Sequence, residues 1–139
     1  MTHEDCAAVA ALCGQLGYPA TTDDIRARFD SITARGAGIV FIAENGGSLV
    51  GWIHASVSPV LEADLYGEIA GLVVDASCRS HGVGRTLVKA AEDWARAAGC
   101  GAMRVRSRVM RERAHAFYER NGYVRIKTQH AFEKKLAAG

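Results

Sequence analysis

Apolar residues recur at helical spacing in four stretches of the chain. The first stretch starts after Thr2, a good capping residue, and stops near Gly17; the second follows Thr22 and ends before Gly36. The third and fourth stretches each end at a glycine, as many helices do. The pattern therefore predicts four helices: the two before residue 36, and two more over Gly84–Ala98 and Glu112–Asn121.

Between and after these helices, the spacing of apolar residues changes to that of strands. Two short apolar runs flank the dipeptide Asn45-Gly46, which favours a tight hairpin turn. A third run is apolar on both faces, as is typical of a strand in the middle of a sheet. The predicted strands cover Ile39–Ala43, Leu49–His54, Ile69–Val74, Met103–Val109 and one or two segments within Tyr123–Leu136. The order of elements predicts a mixed α/β sheet.

The length and composition of the chain fit one domain. With 139 residues and 49% apolar side chains, it can bury a sizeable core without disulfide bonds or metal ions to stabilise it. We therefore expect a single domain over residues 1–139. The formal net charge is +2, and the two signs are interspersed. Bulk electrostatics therefore give no reason to expect nucleic acid or a membrane surface as a partner.

The four cysteines are far apart and form no Cys-x-x-Cys pair, which argues against a zinc site or a redox motif. Reduced thiols are the expected state. The first residues lack the basic and apolar regions of a secretory signal, and no apolar run approaches the roughly 20 residues of a membrane span. The sequence predicts a cytoplasmic protein without a metal.

The segment Val73–Leu87 carries the strongest chemical signal. A buried strand leads through a loop with two glycines into a helix start, where free backbone N–H groups and the helix dipole favour an anion. A Walker loop would need a lysine where Arg85 stands, and a dinucleotide fingerprint would need a small residue where Leu87 stands. On these residues alone, a purely structural turn would look the same.

Two motifs in this sequence resemble those of one enzyme family. Arg79-x-x-Gly82-x-Gly84 matches the Gln/Arg-x-x-Gly-x-Gly/Ala signature with which GNAT acetyltransferases hold the coenzyme A pyrophosphate. Ala114–Tyr123 is similar to the family's Phe-Tyr-Glu-x-x-Gly-Phe/Tyr helix. The resemblance implies the GNAT fold, which is α/β with a mixed, mostly antiparallel central sheet flanked by helices. Strands four and five of that sheet, in the family's count, splay apart.

The resemblance covers Gly38–Leu136, and the two leading helices fit the family's variable acceptor-binding region. It departs from the family in three places. The usual first strand is short or absent, which would leave a sheet edge for a partner to cover. Arg111 stands where many members have an asparagine beside the pantetheine, and Arg106 stands where one branch carries its glutamate base.

The resemblance implies an N-acetyltransferase that moves an acetyl group from acetyl-CoA to a primary amine of a small molecule or peptide. The expected mechanism is direct attack in a ternary complex, with acetyl-CoA as cosubstrate, no metal, and a homodimer as a candidate assembly. The alternative is a non-catalytic acyl-CoA-binding sensor or interaction module with the same fold. Transfer of a longer acyl group also stays open.

The resemblance also assigns roles to residues. Tyr118 is expected to protonate the leaving thiolate, since a phenol with a pKa of about 10 carries its proton at neutral pH; ordinary aromatic packing is the alternative. Glu68, by its offset from Gly82, is expected to deprotonate the amine; a solvated carboxylate at a strand end is the alternative. The expected cofactor-binding residues are Leu72, Val73, Val74, Arg79, Ser80, His81, Gly82, Val83, Gly84, Arg85 and Arg111.

Arginines alternate along the predicted strand Met103–Val109. Together with Arg111 and Arg113, they suit an acidic acceptor or the 3′-phosphate of coenzyme A. A solvated strand face would carry the same residues, so both interpretations stay open.

Overall fold

The computed structural model describes residues 1–36, 38–79, 81–107 and 110–138. The chain divides into two units, Met1–Arg106 and Ser107–Gly139. The first unit contains α1 (Cys6–Leu16), α2 (Thr22–Arg35), β1 (Gly38–Asn45), β2 (Ser48–Val57), β3 (Tyr66–Val74), α3 (Val83–Ala97) and β4 (Ala102–Val105), with short 3-10 turns at His3–Asp5 and Ala76–Cys78. The second unit contains α4 (Glu112–Arg120).

The predicted helices all form, and their ends follow from the sequence. Thr21, rather than Thr22, caps α2: its hydroxyl accepts the Asp24 N–H at 3.0 Å, and the Asp24 carboxylate accepts the Thr21 N–H at 3.0 Å. Gly17 and Gly36 end α1 and α2 in the left-handed region, with φ of 90° and 62°.

The strands form one mixed sheet in the order β1-β2-β3-β4. Strands β1 and β2 make the predicted hairpin, and the two-residue turn between them, Gly46-Gly47, has φ of 60° and 83°. Strand β3 pairs antiparallel with β2 and parallel with β4. The expected α/β fold, a mixed and mostly antiparallel sheet flanked by helices, is therefore confirmed.

Strand β3 contains a β-bulge at Ala70. His54 of β2 lies opposite Gly71, whereas the next residue, Ala55, lies opposite Ile69, so Ala70 is an extra residue without a partner on β2. Because side chains alternate between the two faces of a strand, one extra residue reverses the alternation. Even-numbered residues of β3 before the bulge and odd-numbered residues after it therefore face the same side of the sheet.

Helix α3 covers one face of the sheet, and α1 and α2 cover the other. A Cβ added to Gly51 would meet the α3 side chains Leu87 and Val83 at 3.1 and 3.2 Å. On the opposite face, Ile42, Leu49 and Trp52 pack against the buried cluster Cys6, Val9, Ala10, Cys13 and Ile25 of α1 and α2. Each helix buries its apolar stripe on the sheet, which is the usual way such layers are stabilised.

Pairing between β3 and β4 stops early. Their last paired residues are Ile69 and Val105, although β3 continues to Val74. In the part of the chain that is described, residues 71–74 therefore pair with β2 only, and no strand pairs with their other edge. An open backbone edge offers N–H and C=O groups to a ligand. The splaying of these two strands that the family resemblance implies stays a prediction, because residues 108 and 109 lie outside the described part.

Two strand predictions need correction. The strand predicted over Met103–Val109 ends at Val105: Arg106 and Ser107 belong to no strand, and residues 108 and 109 lie outside the described part. The terminal strands predicted within Tyr123–Leu136 are absent, since residues 123–138 form no helix or strand. Alternation of apolar residues gives a segment the character of a strand, but a strand also needs a neighbour for its backbone hydrogen bonds.

Candidate active site

The end of β3 leads into the loop that is expected to bind an anion. Gly82 adopts φ of 80°, a left-handed conformation that favours glycine, and α3 begins directly after it. The first backbone hydrogen bond of the helix joins the Thr86 N–H to the Gly82 carbonyl at 3.1 Å. The N–H groups of Val83, Gly84 and Arg85 precede it and have no partner within the helix. They point from the positive end of the helix dipole, which suits phosphate.

The approach to this loop is held in place by hydrogen bonds. The Asp75 N–H donates to the Val50 carbonyl at 2.7 Å, and the Ala76 N–H donates to the Gln15 side chain at 3.0 Å. The Asp75 carboxylate accepts the Ser77 N–H and hydroxyl at 3.0 and 2.9 Å, and these hydrogen bonds lower the pKa of Asp75. The strand end is thus tied to both β2 and α1.

The expected cofactor-binding residues of the first unit occupy two adjoining places, the end of β3 and the start of α3. Leu72, Val73 and Val74 form the open end of β3, with Val73 buried and the other two half-buried. Arg79, His81, Gly82 and Arg85 are exposed around the loop, Val83 and Gly84 are half-buried at the start of α3, and Arg111 is the exposed residue just before α4. Ser80, the remaining expected contact, lies outside the described residues.

A group of polar side chains lies on the α1/α2 face of the sheet, near the start of β3. Ser56 is directly opposite Glu68 on the neighbouring strand, and Glu68 is directly opposite Arg104. His54 shares this face with Ser56, because the two are two residues apart on β2. We call this set the polar cluster, and its members are His54, Ser56, Tyr66, Glu68, Arg104 and Arg106.

Two arginines of the polar cluster are engaged by their neighbours. Arg106 Nε lies 3.3 Å from Glu68 Oε1, and the Arg104 guanidinium lies 4.0 Å from the centre of the Tyr66 ring. Arg104 and Arg106 therefore each contact a specific neighbouring side chain, in addition to solvent. Any amine or water that approaches Glu68 has to share its carboxylate with the Arg106 guanidinium.

His54 is a further candidate residue that the sequence analysis did not single out. Burial lowers its pKa, so its imidazole is neutral at pH 7 and has a nitrogen able to accept a proton. The ring occupies space that a glycine leaves free: a Cβ at Gly38 would lie 3.1 Å from His54 Nε2. The sequence contains only a weak signal for His54 as a candidate proton acceptor. The residue ends an apolar run, and the face of the sheet on which it lies is set only by the pairing of β2.

Trp52 lies beside the polar cluster on the same face. Its ring covers Gly71, since a Cβ there would lie 2.9 Å from two ring carbons. Its indole Nε1 is buried and has no hydrogen-bond partner among the described residues. A buried donor without a partner is costly and marks a place where a polar ligand atom would be stabilised.

In the second unit, Tyr118 is packed among aromatic rings of its own helix and the turn that follows. The ring centres of Phe117 and Tyr123 lie 5.2 and 5.6 Å from that of Tyr118, both edge-to-face. Burial raises the pKa of Tyr118, and the charge of Arg111 opposes this in part. The phenol is therefore protonated at neutral pH and can serve as a proton donor.

The described residues contain no group of three His, Cys, Asp or Glu side chains that could hold a metal ion. None of the helices in this part of the chain is long and apolar enough to cross a membrane.

Sequence comparisons identify relatives of this chain. A model of the Acetyltransferase (GNAT) family matches residues 7–123. Aminoglycoside N(6′)-acetyltransferase type 1 of Klebsiella aerogenes is 30% identical over 106 residues, which cover 74% of this chain and 70% of that protein. The uncharacterized N-acetyltransferase YhdJ of Bacillus subtilis (strain 168) is 50% identical over 50 residues; that match spans 36% of this chain and only 35% of YhdJ.

Comparison with solved structures agrees with the sequence comparisons. The aminoglycoside N-acetyltransferase AAC(6′)-Iy, solved in complex with CoA, superposes with a TM-score of 0.86 over 98% of this chain and 92% of that one. Its sequence identity is 21%, so the superposition supports the fold. Together with the family match over most of the sequence, these findings show that the chain belongs to the GNAT family of acetyl-CoA-dependent acetyltransferases.

Proposed function

We propose that this protein transfers an acetyl group from acetyl-CoA to a primary amine of a small molecule or peptide, by direct attack in a ternary complex. The observation that carries the proposal is the open edge of β3 at residues 71–74, which lies between the loop at Gly82 and the polar cluster. From Val74 to Glu68 the strand rises by about 20 Å. An elongated cofactor and its acceptor can therefore meet along one strand.

On the cofactor side, the pyrophosphate binds the free N–H groups that follow Gly82, with Arg79, Ser80, His81 and Arg85 around it. The pantetheine arm lies along the backbone of Leu72, Val73 and Val74, and Arg111 is a further candidate for contact with the cofactor. A backbone N–H of β3 stabilises the oxyanion that forms on the thioester carbonyl. The left-handed Gly82 and the open edge of β3 support this assignment.

On the acceptor side, the amine binds over the polar cluster and loses a proton before it attacks. Glu68 is our first candidate for the base, and its position on the α1/α2 face supports it. His54 is the second candidate, because it is neutral and is not held by a hydrogen bond among the described residues. Either group accepts the proton directly or through one water.

The chemical step then forms the C–N bond and breaks the C–S bond. The amine nitrogen attacks the thioester carbonyl, the tetrahedral intermediate collapses, and the thiolate leaves with the electron pair of the C–S bond. Tyr118 donates its proton to that thiolate and regains one from solvent. The phenol suits this role because it is protonated at neutral pH.

An aminoglycoside-like amine is the acceptor class to test first, because two relatives carry that activity in their names. The competing function is an acyl-CoA sensor without chemistry. The retained Tyr118 favours the enzyme, since cofactor binding alone needs no proton donor.

We also propose that the chain is a single domain that works in the cytoplasm as a homodimer. The four free cysteines are consistent with a reducing compartment.

The test is calorimetric titration of acetyl-CoA into the purified protein, followed by thiol release across a panel of amines. Saturable binding with release that depends on the amine is the expected result. Binding without release on any amine, including aminoglycosides, would favour the sensor. Absence of binding would contradict the proposed function.

Two variants separate the candidates for the base. If Glu68 is the base, Glu68→Gln should lower kcat by at least about tenfold and remove the acidic limb of the pH–rate profile. His54→Gln serves as the matched variant and should leave that limb in place. The reverse pattern would assign the proton transfer to His54, and two unchanged profiles would exclude both.

A further inference from the structure

The polar cluster carries more positive than negative charge. Its charged side chains are those of Glu68, Arg104 and Arg106, which are two guanidiniums against one carboxylate. Its histidine, His54, adds no charge at pH 7, because burial lowers its pKa. The cluster therefore has a surplus of positive charge on the face of the sheet where the acceptor is proposed to bind.

Arg104 has no acidic partner among the described residues. Its guanidinium lies over the Tyr66 ring, 4.0 Å from the ring centre, and none of the ion pairs between described residues includes it. Stacking on a ring leaves the N–H groups at the edge of the planar guanidinium able to donate. Because Arg104 is also half-buried, an anion beside it gains more than it would beside a fully exposed arginine.

Arg106 brings a second guanidinium to the same place. Its Nε lies 3.3 Å from Glu68 Oε1, and Glu68 is directly opposite Arg104 in the sheet. Neighbouring strands are about 5 Å apart, so a small ligand at the Glu68 carboxylate is within reach of both guanidiniums. The salt bridge uses the Nε of Arg106, and its terminal NH₂ groups remain available as donors.

The place of these two arginines in the sheet argues against a phosphate of the cofactor. Arg104 is opposite Glu68, whereas β3 reaches the loop at Gly82 only after Val74, about 20 Å further along. In coenzyme A the 3′-phosphate lies on the adenosine side of the pyrophosphate, away from the thioester. With the pyrophosphate at Gly82, the 3′-phosphate would be still further from the cluster. For Arg104 and Arg106, the acidic acceptor is therefore the better of the two interpretations.

We propose that the acceptor is a small amine that also carries an acidic group, a carboxylate or a phosphate, close to the reacting nitrogen. The Glu68 carboxylate receives the ammonium, and the guanidiniums of Arg104 and Arg106 receive the acid. A guanidinium matches the oxygens of either acid with two parallel hydrogen bonds. The inference rests on the proposed function and names the class of its substrate.

A polycationic acceptor fits this cluster poorly. An aminoglycoside carries several ammonium groups and no acid, so its other ammonium groups would lie beside two guanidiniums, and like charges in contact are unfavourable. The exposed carboxylates of Glu62 and Asp64, just before β3, form no ion pair with either arginine among the described residues. Kanamycin is therefore the contrasting acceptor in the test.

The test measures acetyl-CoA-dependent thiol release with matched pairs of amines. L-amino acids are compared with their carboxamides, O-phosphoethanolamine is compared with ethanolamine, and kanamycin is the polycation. In at least one pair the acidic member should have a kcat/KM at least about tenfold higher than its neutral partner and than kanamycin. The pair that shows the difference distinguishes a carboxylate from a phosphate. Calorimetry with the same amines, with and without CoA, measures their binding independently of the chemistry.

Variants of Arg104 test whether the arginine recognises the acid. Arg104→Gln should raise the KM of the preferred acidic amine at least about tenfold and change that of its neutral partner less than about twofold. Arg104→Lys keeps the charge but loses the planar guanidinium, so its KM should fall between the two. Arg96→Gln, which removes an exposed arginine of α3 on the opposite face of the sheet, is the matched control and should keep both values. Circular dichroism checks that each variant is folded.

The inference would be overturned by equal kcat/KM within every pair, by kanamycin as the best acceptor, or by an equal effect of Arg104→Gln on both members of a pair. Failure of every acidic amine to bind or react would also overturn it, although thiol release with a neutral amine would still support the proposed function. The opposite result is an acidic amine that binds, loses affinity in Arg104→Gln and releases no thiol. It would keep the inference and contradict acetyl transfer.

Discussion

His54 and Tyr118 both lie where burial disfavours their charged forms, with opposite effects on their pKa values. The pKa of the histidine falls, so that it is neutral and able to accept a proton. The pKa of the tyrosine rises, so that it keeps the proton it can donate. These are the protonation states that an amine acetyltransferase needs for its base and its acid.

Replacing Tyr118 tests the acid. In Tyr118→Phe the ring stays but the proton donor is lost, so kcat should fall at least about tenfold while the Kd of acetyl-CoA changes less than about twofold. Stopped-flow thiol release and calorimetry measure the two quantities. Tyr123→Phe, whose ring contacts Tyr118, is the control and should keep its activity. Unchanged turnover in Tyr118→Phe would leave the residue as a packed aromatic only.

The lowered pKa of His54 also predicts how stability depends on pH. The unfolded histidine titrates near about 6.5 and the folded one at a lower pH, so the unfolded state binds more protons as the pH drops. The free energy of unfolding should therefore be largest above pH 6.5 and decrease below it, by at most about 1.4 kcal/mol per pH unit for one proton.

Urea denaturation between pH 7.5 and 5.5 measures this effect. His54→Gln should flatten the dependence, whereas His81→Gln, at an exposed loop position, should keep it. Equal slopes for the wild type and His54→Gln would mean that the histidine is hydrated in the folded protein.

Candidate site residues could be predicted from the sequence only where a motif names them. Glu68 and Tyr118 are expected from the family pattern, and their roles stay predictions. His54 does not, because the sequence of β2 gives no measure of how far that ring is buried, and the space it fills is created by Gly38 on another strand.

At the scale of elements, the turn between β3 and α3 depends on the conformation of Gly82. A Cβ there would meet no atom of the chain within 4 Å, so the glycine is required by its φ of 80° and by the approach of a phosphate. Gly82→Val should weaken acetyl-CoA binding at least about tenfold, measured by calorimetry.

A substitution at a second glycine, Gly36, is the control for the effect of backbone strain alone. Gly36→Val has the same left-handed starting point, φ of 62°, and equally open space at the end of α2. It should lose a comparable amount of stability, about 1–3 kcal/mol, but keep its affinity for acetyl-CoA. A similar loss of affinity in both variants would trace the effect to general destabilisation.

Contact between β2 and β3 depends on Gly71. Because its Cβ would lie 2.9 Å from the Trp52 ring, Gly71→Ala should overpack this face and reduce the free energy of unfolding by about 1–3 kcal/mol. Gly101→Ala, where nothing lies within 4 Å, should change it by less than about 0.5 kcal/mol. Urea denaturation of both variants measures the difference, and equal stabilities would mean that Trp52 moves aside freely.

The elements themselves were largely predictable, because helix caps, the glycine turn and apolar periodicity are local. The positions where pairing is irregular were not. The bulge at Ala70 and the early end of β4 at Val105 result from how neighbouring strands meet, and no single strand carries that information.

At the scale of the whole molecule, the fold class followed from the order of helices and strands, and the family followed from two motifs in the expected order. The terminal strands predicted within Tyr123–Leu136 mark where this reasoning stops. Residues 123–138 form no helix or strand, because a strand needs a neighbour for its backbone hydrogen bonds and the order of elements does not supply one.

The bulge at Ala70 has a consequence for how this gene can vary. If the codon for Ala70 were lost, Ile69 and Gly71 would still lie opposite Ala55 and His54, so pairing with β2 would become regular and every remaining side chain would keep its face of the sheet. The bulge is thus a place where β3 can lose one residue without turning the polar cluster over. The connection at residues 58–65 can likewise lengthen or shorten between relatives with little effect on the sheet.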